Sequence, residues 1–142
     1  LKKIGDNAFY CCTKLENVSI PEGVTSIGKR AFGLCKNLKS VIIPESIKRI
    51  NQYVFSGCSQ LESIVIPDSI EKIALGAFMG TSLKNVKIPL KVKCIDSCVF
   101  GGCVKLEVVH LPESVETICA SAFEECHKFR RFPHSKPRKH NH

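Results

Sequence analysis

The stretch FGLCKNLKSVIIPESIKRI, residues 32–50, is followed one period later by FSGCSQLESIVIPDSIEKI, residues 55–73. The two stretches keep Phe, Cys, Leu, Ile and Pro at the same places, while the residues between them change. Phenylalanine recurs at positions 9, 32, 55, 78, 100 and 123, with spacings of 23, 23, 23, 22 and 23 residues. A fixed period of about 20–50 residues indicates one supersecondary unit per repeat, stacked so that neighbouring units complete one another's core.

The repeating unit reads LxxVxIPxxVxxIxxxAFxxCxx, and the fourth copy lacks one residue between Phe78 and Leu83. The end of LxxVxI alternates as a β-strand does, and the proline after it, which has no amide donor, predicts that the strand stops there. VxxI predicts a second short strand or an extended corner, and the small and polar residues around AF suit one helical or 3₁₀ turn. The repeat phenylalanines Phe32, Phe55, Phe78 and Phe100 are therefore expected to form one interior aromatic column.

The motifs L-x-x-V-x-I-P, V-x-x-I and A-F-x-x-C, as in LESIVIPDSIEKIALGAF, resemble the leucine-rich repeats, specifically the 23-residue BspA-like or Treponema-type class. The resemblance covers roughly residues 1–132. It implies a right-handed, curved horseshoe solenoid with a parallel β-sheet on the concave side, and short strands and 3₁₀ or helical turns on the convex side. It also implies a cell-surface or secreted protein that binds other proteins or mediates adhesion.

The chain divides into a solenoid, residues 1–132, and a basic, His-rich tail, residues 133–142. The solenoid holds about five repeats, with a partial first unit and a degenerate last unit in which Phe129 and Phe132 cap the final coil. The strand at residues 15–20 is an open edge, which is consistent with self-association or with a missing upstream region. Residues before 128 carry 15 Lys and Arg against 13 acidic residues, so the formal net charge of +8 is mostly that of the end of the chain. This distribution does not favour nucleic-acid binding by the body.

The tail lacks the apolar residues needed to fold and is expected to be disordered. Contact with polyanions, with anionic surfaces or with metals through His134, His140 and His142 stays open for it. The longest apolar runs fall far short of the roughly 18 residues of a membrane span.

The nine cysteines divide into a ladder and four outliers. The ladder cysteines follow the repeat Phe by three residues and are Cys12, Cys35, Cys58, Cys103 and Cys126. We expect them to be reduced packing residues, because a free thiol behaves as a small apolar group. The outliers are Cys11, Cys94, Cys98 and Cys119. They leave open one disulfide among the outliers, or a zinc site made of Cys94, Cys98, Cys103 and Cys119, although the spacing lacks the usual C-x₂-C pair. No metal or cofactor is assigned.

The outward positions of the LxxVxI segments form what we call the main-strand face, predicted to be the concave binding surface. Its residues are Asn17, Ser19, Ser40, Ile42, Ser63, Val65, Asn85, Lys87, Val108 and His110. Ile42 and Val65 make an apolar strip that suits contact with a protein. The alternative is that β-branched residues simply favour strands.

The sequence contains no Gly-rich phosphate loop, HExxH, GxSxG or paired-carboxylate motif, so we do not expect an enzyme. Three interpretations remain. The first is a cell-surface or secreted scaffold that binds a protein or extracellular-matrix ligand. The second is an intracellular interaction module, favoured by the many free thiols because thiols persist in a reducing compartment. The third is a structural segment that assembles into homo-oligomers through its open coil ends.

Overall fold

The computed structural model describes residues 2–130 and 139–141, and in this part of the chain short strands joined by turns wind into a parallel β-solenoid of about five coils. The elements in chain order are β1 (Lys3–Ile4), β2 (Asn17–Ser19), β3 (Ser26–Ile27), β4 (Ser40–Ile42), β5 (Arg49–Ile50), β6 (Lys72–Ile73), β7 (Asn85–Lys87), β8 (Cys94–Ile95), β9 (Val108–His110), β10 (Thr117–Cys119), a 3₁₀ helix (Ala120–Phe123) and β11 (Lys139–Asn141). A full coil consists of a main-strand segment, a second strand and a turn segment.

Strands pair in parallel with the equivalent strand of a neighbouring coil. Main strands β2 and β4 pair with Val18 opposite Val41, and β7 and β9 pair with Val86 opposite Val109. The VxxI segments also pair as strands: β1 with β3, β5 with β6, and β8 with β10. The prediction of a second strand in each unit is confirmed, because equivalent residues of consecutive repeats lie opposite each other.

The main-strand ladder is interrupted at the third coil, where the described Ser63–Val65 segment is not a strand although the template predicts one. Where main strands pair, the first hydrogen bond runs from the amide of the residue after the repeat Leu to the carbonyl of the equivalent residue in the preceding coil, as from Lys39 N to Glu16 O at 2.7 Å. In the shortened fourth unit, Ser82 N instead donates to Leu61 O at 3.0 Å. Relative to the regular pattern, the donor in the shortened unit is two residues earlier and the acceptor one residue earlier, and the prediction of a strand was wrong for Ser63–Val65.

Proline ends every main strand in a tight turn. The carbonyl of each repeat proline accepts a hydrogen bond from the amide three residues later, at 3.1–3.3 Å, as from Val24 to Pro21 and from Ile70 to Pro67. Proline is the first residue of this four-residue turn, and the aliphatic residue that donates the bond is buried in the core. The turn thus fixes the angle between the two strands of each coil.

The repeat phenylalanines form a single stacked column through the solenoid. Phe32, Phe55, Phe78 and Phe100 are at most 1% exposed, and Phe9 and Phe123 continue the column at its ends. Successive ring centroids lie 5.3–5.9 Å apart with interplanar angles of 8–14°. The predicted column is confirmed, and the offset stacking suits the quadrupoles of the rings.

The last coil is capped by an aromatic ring. Phe129 stacks on Phe123 with centroids 4.5 Å apart, as the cap hypothesis expects, while Phe132 lies outside the described residues. Lys139–Asn141, within the segment expected to be disordered, forms β11 and pairs in parallel with β10. An edge strand offers unpaired backbone groups to such an addition. The rest of the tail lies outside the described residues, so its predicted disorder stays a prediction.

The turn segments surround the repeat Phe and comprise residues 5–14, 28–37, 51–60, 74–82, 96–105 and 119–128. A 3₁₀ helix, at Ala120–Phe123, forms only in the last of them within the described chain. The amides of Phe9, Phe32, Phe55, Phe78 and Phe100 each donate to the next coil at 2.7–3.0 Å, as from Phe32 to Val54 O. The turn segments therefore bond neighbouring coils together on the side away from the main strands.

Candidate protein-contact surface

The main-strand face presents exposed side chains on consecutive coils because alternate residues of each main strand point outward. Ile42 is 64% exposed and Val65 80% exposed, at equivalent positions of neighbouring coils. Asn17 accepts a hydrogen bond from Ser40 Oγ on its Oδ1 at 2.6 Å, which joins the first two coils. Val108, the third aliphatic residue of the main-strand face, is half-buried. The two exposed aliphatics are consequently the apolar centre of this face.

Two neighbouring clefts border the main-strand face. The first, of about 320 Å³, is lined by Glu45, residues 64–68 and Lys87. The second, of about 290 Å³, is lined by Asp68, residues 87–90 and residues 110–112. Asp68 and Lys87 belong to both clefts, so the clefts form one continuous groove along several coils.

Leu90 is the residue of this groove that sequence reasoning missed. Its side chain is 73% exposed and lies in the second cleft. The signal was present, because Leu90 is the one apolar residue at the position after the repeat proline, where other units carry Glu22, Glu45, Asp68 and Glu113. The groove thus combines exposed aliphatic surface with the carboxylates of Glu45 and Asp68.

A ladder of alternating charges runs beside the main strands at Glu16, Lys39, Glu62, Lys84 and Glu107. Lys39 Nζ lies 3.9 Å from Glu16 Oε1, and Lys84 Nζ lies 3.8 Å from Glu62 Oε1. The paired side chains are 50–60% exposed, so each pair contributes at most about 1 kcal/mol to stability. We interpret these pairs as structural, because opposite charges on neighbouring coils favour the observed stacking over a slipped one.

The ladder cysteines are structural thiols. The Sγ of Cys35, Cys58, Cys103 and Cys126 each donates to the carbonyl oxygen of the repeat Phe in the preceding coil at 2.9–3.2 Å. Burial raises the pKa of Cys58 to about 12 and that of Cys126 to about 11. Thr81 replaces Cys in the shortened unit, and its Oγ1 lies 3.3 Å from Cys103 Sγ. These thiols stay protonated at neutral pH, and the packing role expected for them agrees with the geometry.

The outlying cysteines do not assemble with Cys103. Cys119 Sγ donates to Asp96 Oδ1 at 3.9 Å, and Cys98 Sγ donates to Ser121 Oγ at 3.8 Å. Burial raises the pKa of the Cys94 thiol, and the neighbouring Cys119 raises it further. All nine cysteines are free, and within the described residues no three His, Cys, Asp or Glu side chains come together as a metal-binding group.

The motif, the stacked parallel coils and the interior column define a leucine-rich repeat solenoid. A family description, the BspA-type leucine-rich repeat region, matches six copies across residues 2–130. The chain belongs to this BspA-type leucine-rich repeat family. None of the curated proteins compared with the chain matches it.

Several solved bacterial structures share the fold. The leucine-rich repeat protein of T. pallidum is 31% identical with a TM-score of 0.93, and the match covers 99% of this chain and 66% of that one. A leucine-rich repeat protein from Bacteroides ovatus is 31% identical with a TM-score of 0.78, over 94% of this chain and 41% of that one. A leucine-rich cell surface protein from Faecalibacterium prausnitzii is 31% identical with a TM-score of 0.80, over 93% and 42%. The chain thus spans less than half of two of these relatives.

Among the residues that the structure describes, no helix has the length and hydropathy needed to cross a bilayer.

Proposed function

We propose that this chain is a non-catalytic scaffold that binds a protein or extracellular-matrix ligand through its main-strand face. The observation that carries the proposal is the pair of exposed aliphatics, Ile42 and Val65, beside a groove with a third, Leu90. Exposed apolar side chains grouped on one face cost solubility, and they mark contact surfaces more often than scattered single residues do.

A cell-surface or secreted location with a role in adhesion is part of this proposal. One support is the relative from Faecalibacterium prausnitzii, which is described as a cell surface protein. The nine free thiols support the alternative, an intracellular interaction module, because exported proteins usually oxidise their cysteines. Counting the oxidised cysteines of the native protein distinguishes the two locations.

The test of the main-strand face is a binding assay with a charged double variant. Wild-type protein is passed over surfaces coated with fibronectin, laminin or collagen, and Ile42→Lys/Val65→Lys is compared with it by surface plasmon resonance. Val104→Lys is the matched control, because Val104 is an exposed aliphatic, 47% exposed, outside the main-strand face. We expect the double variant to lose about tenfold or more in affinity, since two lysines must be desolvated, and the control to bind as wild type. Equal binding by all three proteins contradicts the proposal.

Self-association through the first coil is a second candidate, favoured by an apolar opening at that end. A cleft of about 250 Å³ is lined there by Ile4, Phe9, Leu15, residues 17–21 and Phe32, and Phe9 is 39% exposed. Light scattering over a range of concentrations tests it. A mass that rises with concentration in wild type but not in Phe9→Lys supports assembly, and a monomer at all concentrations removes it.

A further inference from the structure

Two columns of left-handed residues run along the turn segments. Every residue two places after the column Phe has a positive φ: Cys11 (60°), Leu34 (55°), Gly57 (77°), Gly80 (72°), Gly102 (68°) and Glu125 (59°). Five residues two places before it do as well: Asn7 (58°), Arg30 (56°), Tyr53 (58°), Gly76 (62°) and Cys98 (57°). The repeat imposes this conformation whatever residue occupies the position.

The two columns are occupied unevenly. Glycine, which adopts positive φ without steric cost, stands at 57, 76, 80 and 102. Arg30, Leu34 and Tyr53 stand at equivalent positions, although large side chains rarely adopt this conformation and lose stability in it. Strained residues of this kind cluster where a function holds them.

The strained side chains gather into one cluster with Tyr10. The guanidinium of Arg30 lies 4.9 Å from the ring centroid of Tyr53. The ring of Tyr53 covers Gly76, where a Cβ would collide with it, and Leu34 covers Gly57 in the same way. Gly57 and Gly76 therefore have no side chain at the points where Leu34 and Tyr53 of the preceding coil pack over the backbone.

This cluster lines an open cleft of about 120 Å³. The cleft is lined by Tyr10, Arg30, Gly33, Leu34, Tyr53 and Ser56. Tyrosine and arginine are the residue types that dominate binding energy at protein interfaces. The main-strand face contains neither type among its ten residues.

The turn segments that contribute to the cleft carry a net positive charge, and Arg30 is the charged residue of its lining. The first three turn segments carry Lys14, Lys29, Arg30 and Lys36 against Asp6, a formal charge of +3. The last three carry Lys105 and Lys128 against Asp96, Glu124 and Glu125, a formal charge of −1. Within the described part of the chain, neither an ion pair nor a hydrogen bond occupies the guanidinium N–H groups of Arg30, whose face already rests on Tyr53.

From these observations we infer that the turn segments of the first three coils form a second docking site, which takes an acidic segment of a protein partner. A carboxylate of the partner accepts hydrogen bonds from the free edge of Arg30, and an adjacent apolar side chain enters the cleft between Tyr10 and Tyr53. A guanidinium stacked on a ring presents its fork in a fixed orientation, which suits bidentate recognition of a carboxylate. This site is separate from the main-strand face and does not depend on the function proposed for that face.

The test uses an array of immobilised hexapeptides in which one Glu is flanked by each of the other residue types in turn. An identical array with Gln in place of Glu is the matched control. We expect wild type to bind Glu peptides with a Leu, Ile or Phe neighbour about tenfold more tightly than their Gln counterparts, because a charged acceptor strengthens the bonds to Arg30. Equal binding to the two arrays overturns the inference.

Glycine substitutions separate a binding role from a structural one. Arg30→Gly and Tyr53→Gly introduce the residue that the equivalent position carries in one other coil, Gly76, so both variants are expected to fold, with thermal midpoints within a few degrees of wild type. Both should lose the preference for Glu, and Arg30→Lys should lose about fivefold or more of it, because an ammonium cannot reproduce the planar fork. A preference for Glu that survives in Arg30→Gly overturns the inference.

Tyrosine fluorescence supplies a second measurement on unmodified protein. The chain has two tyrosines and no tryptophan, so its intrinsic emission comes from Tyr10 and Tyr53, both in the cleft. We expect the best Glu hexapeptide to change this emission saturably in wild type and in Ile42→Lys/Val65→Lys. Peptide binding without a change in emission, or binding abolished by the main-strand substitutions, overturns the inference.

Discussion

Removing a phenylalanine from the interior of the stacked column should destabilise the protein more than removing one from its end. Phe55 is fully buried and stacks on both Phe32 and Phe78, whereas Phe9 is 39% exposed and stacks on Phe32 alone. A phenylalanine that buries roughly 150–250 Å² at about 25 cal/mol per Å² contributes roughly 4–6 kcal/mol. Phe55→Ala is therefore expected to destabilise the protein by about 4 kcal/mol, and Phe9→Ala by about 2 kcal/mol.

The assay is urea unfolding followed by far-UV circular dichroism. With a slope of about 2 kcal/mol per M, Phe55→Ala should lower the midpoint by roughly 2 M and Phe9→Ala by roughly 1 M. Phe55→Leu is the control for lost volume, because it keeps most of the apolar area and should lower the midpoint by less than Phe55→Ala. Similar shifts for Phe55→Ala and Phe9→Ala would refute the argument that each ring is held by two coil neighbours.

Three further predictions follow from the thiols and the turns. Burial raises the pKa of Cys58 to about 12 and keeps its thiol protonated in the fold, while the thiol of the unfolded chain ionises near its ordinary pKa of about 9. The free energy of unfolding is therefore full below pH 9 and falls by up to about 1.4 kcal/mol per pH unit between pH 9 and 12. Urea midpoints should fall less steeply with pH in Cys58→Thr than in wild type. Ellman's reagent at pH 8 should label exposed Cys11 within seconds to minutes and Cys58 only on unfolding, and equal labelling rates would contradict the burial of the ladder. Gly76→Ala should lower the urea midpoint more than Gly80→Ala. Both positions have positive φ, but only the methyl group at 76 meets the ring of Tyr53. Adding Tyr53→Gly to both variants should therefore remove the difference.

Most of the fold can be predicted from the sequence, because the repeat period assigns each residue to the same place in every coil. Phe, Leu, Val, Ile and Pro recur at fixed offsets, and stacking equivalent residues gives the core column, both strands of each coil and the turn at proline. The pairing of Ser63–Val65 could not be predicted correctly. It depends on how the backbone absorbs the residue missing before Leu83, and the template contains no information on that adjustment.

The left-handed columns were not predicted, because their residues share no chemical type. Asn7, Arg30, Tyr53 and Cys98 occupy one column, and such side chains do not signal positive φ as glycine does. The glycines at 57, 80 and 102 carried a partial signal, since they recur two places after Phe. The cleft at Arg30 and Tyr53 joins side chains of three coils, so it became visible only in three dimensions.

The main-strand face was predicted residue by residue, because alternation in a strand assigns inward and outward positions. The exposures of Ile42 and Val65 agree with that assignment. The groove beside them was not predicted, because it is shaped by the turns after Pro67 and Pro89 and by the side chain of Leu90. Whether this face binds a partner stays a prediction.

The hydrogen bonds that join Phe32 to Val54 and Phe55 to Ala77 run from coil to coil, along the direction in which the coils are stacked. A force that pulls the two ends of the solenoid apart is carried by every coil interface in series, and the terminal coil, which packs against a single neighbour, is expected to detach first while the others stay stacked. Each release frees about 23 residues and lengthens the chain by roughly 70 Å. Stretched in this way, the molecule yields in uniform increments, as a tether that absorbs tension one coil at a time.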